Sequence, residues 1–374
     1  MLTSLIRLAL LGVVFVFVFF ADKLHIKFDY PMAGLTDNFY VRLVKAVVWL
    51  LVLIEVLRLF YYGIIKNAKN KKGNSVLANV ATLGVMLVSL VVFLEIVFMF
   101  VSQSHEGDLS KASQIWFAKY WKPITDQGYR DKPKTDADKK QKVLVLGDSF
   151  AAGHGLENVE DRFSDRLEQK LGADKYAVYN LGVSGSDTRD EYNRLAKFPV
   201  KPDLLVLEYF PNDIEKAAKD AGLTLGQFQP YEDIKTPGVG SLVMRFYLPN
   251  YLYWQFPHIP PASITDFVKK SYTDTTILNP HLRDLQKIVD YARTHNAPMY
   301  VVMVPFLQNL DKSNDYTKPI ETFFTQQNIP IVRLSQHLNT IPAEERIVGK
   351  NDGHASAKVN ALIAEKLYEI MQRK

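Results

Sequence analysis

The chain of 374 residues contains no cysteine, and neither sign of charge dominates it. Disulfide scaffolds, thiol nucleophiles and cysteine metal sites are therefore excluded, although this absence does not identify a compartment. The 45 basic and 40 acidic residues leave a net charge of +5. The densest basic stretch is a lysine run between two apolar segments, which favours a role in membrane topology over nucleic-acid binding.

Several common catalytic motifs are also missing. There is no Gly-x-Ser-x-Gly elbow, no phosphate loop ending in Gly-Lys-Ser/Thr and no His-Glu-x-x-His zinc helix. Apart from His154 and His354, the histidines are scattered singly along the chain. We therefore expect no metal site and no cofactor. His154 lies near the candidate nucleophile described below, and we interpret it as a loop residue.

Long apolar runs are concentrated in the first hundred residues. A helix needs roughly 20 apolar residues to cross a 30 Å hydrocarbon core. Three ranges meet this requirement with few charges: residues 2–21, 46–65 and 76–101. We predict three transmembrane helices, and we interpret the first as an uncleaved anchor rather than a signal peptide because two more spans follow it.

Four charged residues lie inside these predicted spans: Arg7, Glu55, Arg58 and Glu95. Charges within a membrane are costly, so Glu55, Arg58 or Glu95 can mark a contact with a partner protein, with snorkelling to the membrane interface as one alternative. Glu55 and Arg58 are three residues apart on one helical face, and pairing with each other is another alternative.

The lysine run at residues 66–74 predicts the orientation of the chain. It holds four lysines and no acid, which indicates a cytoplasmic loop. With three spans in a membrane region of residues 1–101, the C-terminal domain lies outside the cytoplasm. We therefore expect a multi-pass inner-membrane protein with a periplasmic domain. Residues 102–141 are polar and predict a juxtamembrane connector.

From residue 142 to residue 374, strand-like apolar runs alternate with amphipathic helical patterns. The predicted strands are residues 143–146, 176–181, 204–209, 299–304 and 331–334. This alternation predicts a parallel sheet covered by helices on both faces, an α/β fold in three α/β/α layers. Residues 214–280 are rich in proline, glycine, tyrosine and phenylalanine, and predict an insertion over the strand ends, where sites of such sheets form.

The first predicted strand leads into Gly147-Asp148-Ser149, which places a serine hydroxyl where the chain turns from strand to helix. A serine nucleophile needs a base within hydrogen-bond reach and donors for the oxyanion that forms on acyl attack. The alternative is a serine that caps the following helix.

His354 is the candidate base. It follows Asp352 by two residues and directly precedes the last predicted helix. A nearby carboxylate fixes the tautomer of a catalytic histidine and stabilises its imidazolium. Because Asp-Gly is also common in turns, a surface turn is the alternative for this segment.

Two more loops follow strands of the same predicted sheet. One contains Gly185, whose backbone N–H can approach an oxyanion closely, and the other contains Asn212, whose side chain is a neutral donor. Both loops have the composition of ordinary turns as well.

Together the four loops resemble the SGNH (GDSL-type) hydrolase family, which is named after serine, glycine, asparagine and histidine in four sequence blocks. The order matches, and the resemblance covers about residues 142–372. It implies a flavodoxin-like α/β/α sheet in which Ser149 attacks an ester, His354 is the general base and Asp352 orients it. It also implies an oxyanion hole formed by the backbone N–H groups of Ser149 and Gly185 with the Asn212 side chain.

The chain departs from the family pattern at three positions. Phe210 replaces a glycine common two residues before the asparagine, and Ala355 stands where a proline often follows the histidine. The family's aspartate commonly lies three residues before the histidine, whereas here that position is Asn351 and the acid is Asp352.

The predicted spans imply membrane anchoring, and the resemblance implies an enzyme that acts on carboxylic esters through an acyl-serine intermediate. Transfer of the acyl group to water would make it an esterase, and transfer to a sugar hydroxyl would make it an O-acyltransferase. The expected substrate is an acyl ester of an extracytoplasmic glycan or lipid. The expected partners are the lipid bilayer and, in the transferase case, a multi-span membrane acyl-transfer protein, without nucleic acid. The alternative is a non-catalytic subunit that keeps the fold and binds glycan or a membrane acyltransferase.

Overall fold

The computed structural model describes most of the chain: residues 2–19, 37–60, 62–63, 75–105, 110–135, 137–225, 240, 243, 245–256, 261–310 and 316–373. The predicted cytoplasmic loop at residues 66–74 lies outside these residues, as does part of the predicted insertion. The chain forms two compact units. One comprises Met1–Gln103, Leu109–Lys119 and Thr236–Gln255, and the other comprises Ser104–Asp108, Tyr120–Lys235 and Phe256–Lys374.

The helices and strands follow in chain order. They are α1 Leu2–Phe19, α2 Asp37–Phe60, α3 Ser75–Phe98, α4 Lys111–Tyr120, β1 Gln141–Leu146, α5 Ser149–Ala152, α6 Phe163–Leu171, β2 Tyr176–Asn180, α7 Thr188–Lys197, β3 Leu204–Tyr209, α8 Glu215–Asp220, α9 Tyr247–Tyr253, α10 Pro261–Thr273, α11 Thr275–Thr294, β4 Met299–Met303, α12 Lys318–Gln326, β5 Ile331–Arg333, α13 Ala343–Arg346, β6 Ile347–Gly349, β7 Asp352–Ala355 and α14 Ala357–Gln372. Short 3₁₀ helices lie at Ala137–Lys139, Val159–Asp161 and Leu334–Thr340.

The first unit contains the apolar helices α1, α2 and α3. Within the described residues, none of the helices has both the length and the apolar character that a membrane crossing requires. The spans predicted at residues 2–21, 46–65 and 76–101 are therefore not supported by the structure.

The charged side chains of these helices have partners inside the first unit. Glu55 accepts a hydrogen bond from Arg58 at 2.8 Å and pairs with Arg7 at 3.6 Å. Glu95 accepts the backbone N–H groups of Tyr247 and Leu248 at 2.6 and 2.9 Å. These N–H groups belong to the first turn of α9 and have no partner within that helix, so the Glu95 carboxylate caps it.

The second unit is built on a five-stranded sheet with the order β2-β1-β3-β4-β5. Every neighbouring pair is parallel. The predicted strands are confirmed to within one or two residues at their ends, because each is an uninterrupted apolar run between turn residues. The prediction of a three-layer α/β/α fold is confirmed as well.

Alternation along the strands builds the two faces of the sheet. In β1, Val143 and Val145 point to one core and Leu144 and Leu146 to the other. The first core is closed by α5, α6 and α14, and the second by α7, α8, α10, α11 and α12. Burial on both faces explains why these strands are apolar at successive positions.

The segment around His354 is a strand rather than a surface turn. Strand β7 pairs antiparallel with β6, and the register joins Ile347 to Ala355 and Gly349 to Asp352. The turn of this hairpin lies before Asp352. Asp352 and Gly353, a residue pair that is common in turns, therefore lie inside strand β7.

The strand order determines where the loops meet. From β1 the chain moves to β2 at the sheet edge and then returns to β3 on the other side of β1, so the direction of winding reverses there. Loops at the carboxyl ends of β1 and β3 form a crevice at such a point. The loops that carry Ser149 and Asn212 follow these two strands.

Candidate active site

The turn between β1 and α5 requires glycine at its first position. A Cβ at Gly147 would lie 2.5 Å from Glu208 Oε2 and 2.7 Å from Ala151 Cβ. The next residue, Asp148, begins α5 by accepting the Phe150 N–H at 2.8 Å. This close packing presents Ser149 as the first residue of α5, where its own N–H is not used by the helix.

A chain of two hydrogen bonds joins Ser149, His354 and Asp352. Ser149 Oγ lies 2.7 Å from His354 Nε2, and His354 Nδ1 lies 2.5 Å from Asp352 Oδ1. With the proton on Nδ1, the imidazole donates to the carboxylate and accepts from the serine hydroxyl. The arrangement therefore fits a serine nucleophile, a general base and an orienting acid.

The two-residue spacing of acid and base follows from the strand that carries them. Residues i and i+2 of a strand project from the same face, so β7 directs Asp352 and His354 to one side. The carboxylate also accepts the backbone N–H of His354 at 3.1 Å. Asp352 is thus the carboxylate that contacts His354, although Asn351 stands where the family usually has its aspartate.

Asp352 is an ionised carboxylate in a fully buried position. Burial opposes its ionisation, but the charge and hydrogen bond of His354, together with His154 and Ser104, hold the pKa of the carboxyl well below its usual range. A charged acid at neutral pH is what a positively charged imidazolium needs beside it during acyl transfer.

The loop that contains Gly185 is bonded to the nucleophile turn. The Gly147 carbonyl accepts Val183 N–H at 3.3 Å and Ser186 Oγ at 3.4 Å. Gly185 itself is exposed and has a left-handed φ of 75°. The structure thus brings the loop of this predicted oxyanion donor to the turn that carries Ser149.

Asn212 is also held at the nucleophile turn. Its side-chain Nδ2 donates to Asp148 Oδ2 at 3.1 Å, and its loop is fixed because the Asp213 carbonyl accepts Thr188 N–H at 3.3 Å. An amide group has two N–H bonds, so the second N–H of Asn212 can serve an oxyanion while the first is bound to Asp148. The segments that carry the five predicted site residues, namely the start of α5, strand β7 and the two loops, therefore converge at one sheet edge.

Beneath these loops lies a group of buried acids: Asp148, Glu191, Glu208 and Asp213. Burial raises the pKa of Glu191 to about 8, and burial with neighbouring acids raises the pKa values of Glu208 and Asp213 well above their usual range. Burial therefore favours the neutral form of these three carboxyl groups. Glu208 Oε2 accepts a hydrogen bond from the Asp148 backbone N–H at 3.4 Å, which helps to hold the turn.

Two residues that sequence patterns did not assign to the site lie against its acid and base. Ser104 Oγ donates to Asp352 Oδ2. The His154 ring stacks on His354 at 4.3 Å with 20° between the planes. His154 was interpreted as a loop residue, and a lone serine in a polar connector carries no pattern that would have identified it.

His154, Asp352 and His354 offer three possible metal-ligand atoms within 4.8 Å of one another, among the residues that the structure describes. The two rings are nearly parallel, so their in-plane lone pairs run side by side rather than toward one point. Both His354 nitrogens also face Asp352 or Ser149. The contacts of His354 with Asp352 and Ser149 therefore fit a hydrogen-bonded acid and base rather than a set of metal ligands.

Comparison with known proteins identifies the sequence pattern. A model of the GDSL-like lipase/acylhydrolase family matches residues 145–358, more than half of the chain. The match includes Ser149, Gly185, Asn212, Asp352 and His354. No curated protein matches the chain.

Several solved structures are similar to this chain at low sequence identity. TesA is 15% identical, covers 62% of this chain and 99% of its own, and has a TM-score of 0.39. The esterase EstA from Pseudoalteromonas sp. is 14% identical over 63% of this chain and 98% of its own, with a TM-score of 0.38. The lipase/acylhydrolase from Enterococcus faecalis is 16% identical over 62% and 95%, with a TM-score of 0.38.

The contact between Asp352 and His354 generates a first prediction. Asp352→Asn should lower the rate at which Ser149 is phosphonylated by on the order of 10⁴-fold, because the amide favours the wrong imidazole tautomer. The rate is measured with a fluorophosphonate that reacts with activated serines. Asn351→Ala is the matched control and should stay close to wild type. An equal loss in both variants, or none in Asp352→Asn, would remove Asp352 from the orienting role.

Proposed function

Because the chain belongs to the GDSL-like lipase/acylhydrolase family, we propose that it is a serine enzyme that acts on carboxylic esters through an acyl-Ser149 intermediate. The observation that carries the proposal is the chain of two hydrogen bonds from Ser149 Oγ through His354 to Asp352, with distances of 2.7 and 2.5 Å.

The proposed reaction has two balanced halves. Ser149 Oγ attacks the ester carbonyl carbon while its proton passes to His354 Nε2, and the carbonyl oxygen becomes an oxyanion near the Gly185 and Asn212 loops. His354 then gives the proton to the departing alcohol as the ester C–O bond breaks. In the second half, an acceptor hydroxyl loses its proton to His354 and attacks the acyl-serine, which releases Ser149 with its proton restored.

Water is the acceptor that we propose first, which makes the protein an esterase. Transfer to a sugar hydroxyl of an extracytoplasmic glycan begins from the same acyl-serine and differs only in the second half. In that case, a multi-span membrane protein is the proposed source of acyl groups. Product analysis distinguishes the two, because an acylated sugar forms only by transfer.

We further propose that the apolar N-terminal helices attach the protein to the inner membrane. Large apolar side chains are exposed on them, including Leu10 at 63%, Val80 at 61% and Met86 at 62%. Exposed apolar surface of this extent is typical of membrane or protein contacts. The lysine run at residues 66–74 supports a periplasmic catalytic domain.

The nucleophile is tested by active-site labelling of the purified full chain. We expect the fluorophosphonate to label the wild type and to label neither Ser149→Ala nor His354→Ala, with parallel loss of aryl acetate hydrolysis. Unlabelled wild-type protein that retains its fold would favour a non-catalytic, glycan-binding subunit. Equal labelling of all three proteins would refute the assignment of Ser149.

The oxyanion donor is tested separately. Asn212→Ala should lower kcat for an aryl acetate by roughly 10²- to 10³-fold, the loss typical when one such donor is removed. KM should change little because the donor acts on the charge that develops in the transition state. A wild-type kcat in a variant with an unchanged melting temperature would exclude Asn212 from the oxyanion hole.

Membrane attachment is tested by alkaline carbonate extraction of membranes from cells that express the full chain. We expect the wild type to remain in the membrane pellet. Replacing both Met86 and Leu90, which are 62% and 51% exposed, by aspartate should release part of the protein, because a charge within this exposed apolar surface opposes its burial in lipid. Complete extraction of the wild type would refute the attachment.

A further inference from the structure

The catalytic acid depends on a residue that precedes the family match. Asp352 is fully buried, and its Oδ1 is occupied by the ring and the backbone N–H of His354. A buried carboxylate oxygen without a donor is costly, so Oδ2 needs a partner as well. Ser104 Oγ donates to Oδ2. Ser104 is 248 positions away along the chain, is itself buried, and belongs to the same compact unit as Asp352.

His105, the residue after Ser104, binds the imidazole of His154, which packs against the ring of His354. The His105 carbonyl accepts a hydrogen bond from His154 Nε2 at 2.9 Å, which requires the proton to be on that nitrogen. His154 Nε2 also lies 3.8 Å from Asp352 Oδ2, and the His154 ring stacks on His354. Burial and the neighbouring His354 lower the pKa of His154 to about 4. His154 is therefore neutral at pH 7 and adds no positive charge that would oppose the imidazolium of His354.

A buried arginine fixes the loop that carries His154. The Arg130 guanidinium donates to the carbonyl of Gly153 at 2.5 Å and to that of Leu156 at 2.7 Å, on either side of His154 along the chain. Arg130 is 2% exposed, and its pKa, lowered by burial and by neighbouring Arg162 to about 10, leaves it charged at neutral pH. Like Ser104 and His105, Arg130 lies in the segment that the sequence predicted as a simple connector.

From these contacts we propose that Ser104 and His154 are positioning residues of the active site. Ser104 holds the Asp352 carboxylate in the orientation that directs Oδ1 at His354, and His154 holds the plane of the His354 ring so that Nε2 faces Ser149. Neither residue acts on the ester itself. The proposal rests on the proposed serine esterase function, and it extends the working site beyond residues 145–358.

The test uses the purified full chain with an aryl acetate as substrate. Ser104→Ala should lower kcat by roughly 10- to 100-fold, the range that corresponds to loss of a hydrogen bond to a charged group. KM should remain close to the wild-type value because Ser104 acts through Asp352. Ser104→Thr keeps the hydroxyl and should restore most of kcat. Ser102→Ala, two residues earlier on the same segment, is the matched control and should match the wild type.

His154 is examined with two replacements. His154→Phe keeps a ring against His354 and should retain more kcat than His154→Ala, which removes both the stacking and the hydrogen bond to His105. Melting temperatures of all variants are compared with that of the wild type. A purely structural role would lower stability in step with activity, and Ser104→Thr would then give no selective recovery of kcat.

The possible outcomes separate this inference from the proposed function. An active wild type with Ser104→Ala as active as Ser102→Ala would overturn the positioning role and leave the esterase function intact. A folded wild type that neither hydrolyses the ester nor reacts with the fluorophosphonate would overturn the function itself, and the positioning role with it. Loss of kcat in Ser104→Ala with recovery in Ser104→Thr would support both.

Discussion

The site depends on the contact between the His354 ring and the Asp352 carboxylate. At 2.5 Å from Oδ1, Nδ1 must carry the ring proton, which leaves Nε2 as the acceptor that faces Ser149. Strand β7 provides this contact because alternate residues of a strand share a face. The hairpin with β6 then holds the pair at the same sheet edge as the nucleophile turn. A one-residue shift in register would direct the acid and the base away from Ser149.

The carboxyl groups near the site show that burial alone does not decide ionisation. Asp352 and Glu191 are both fully buried, yet the pKa of the first is lowered and that of the second is raised to about 8. Asp352 accepts hydrogen bonds from His354 and Ser104, whereas both Glu191 carboxyl oxygens are without a hydrogen-bond partner among the described residues. The charge of His354 and the donors around Asp352 therefore favour the ionised form of this acid beside the base, whereas burial without donors favours the neutral form of Glu191.

Much of the catalytic fold was predictable because its signals are local. Each central strand is an apolar run of the right length, and the candidate residues follow these strands in turns, so the topology of a parallel sheet brings them to one edge. The hairpin around His354 was not predictable in this way, since β6 and β7 are short, β7 is half-polar, and Asp-Gly favours a turn. The apolar N-terminal runs gave helices, but the membrane spans predicted from the same runs are not supported by the structure.

The connector shows why the rest of the site could not be predicted. A serine or an arginine in a polar stretch is normally solvated, and only a partner far away in sequence makes its burial favourable. Asp352 Oδ2 provides such a partner for Ser104, and the Gly153 and Leu156 carbonyls provide it for Arg130. The dependence is mutual, because the buried carboxylate needs the serine donor as much as the serine needs an acceptor. Ser149, His354 and Asp352 all lie within residues 145–358, which match the family. Ser104, which donates a hydrogen bond to Asp352, lies before that range. Ser104 and Arg130 both precede residue 145 and therefore add contacts to the site from outside the family match.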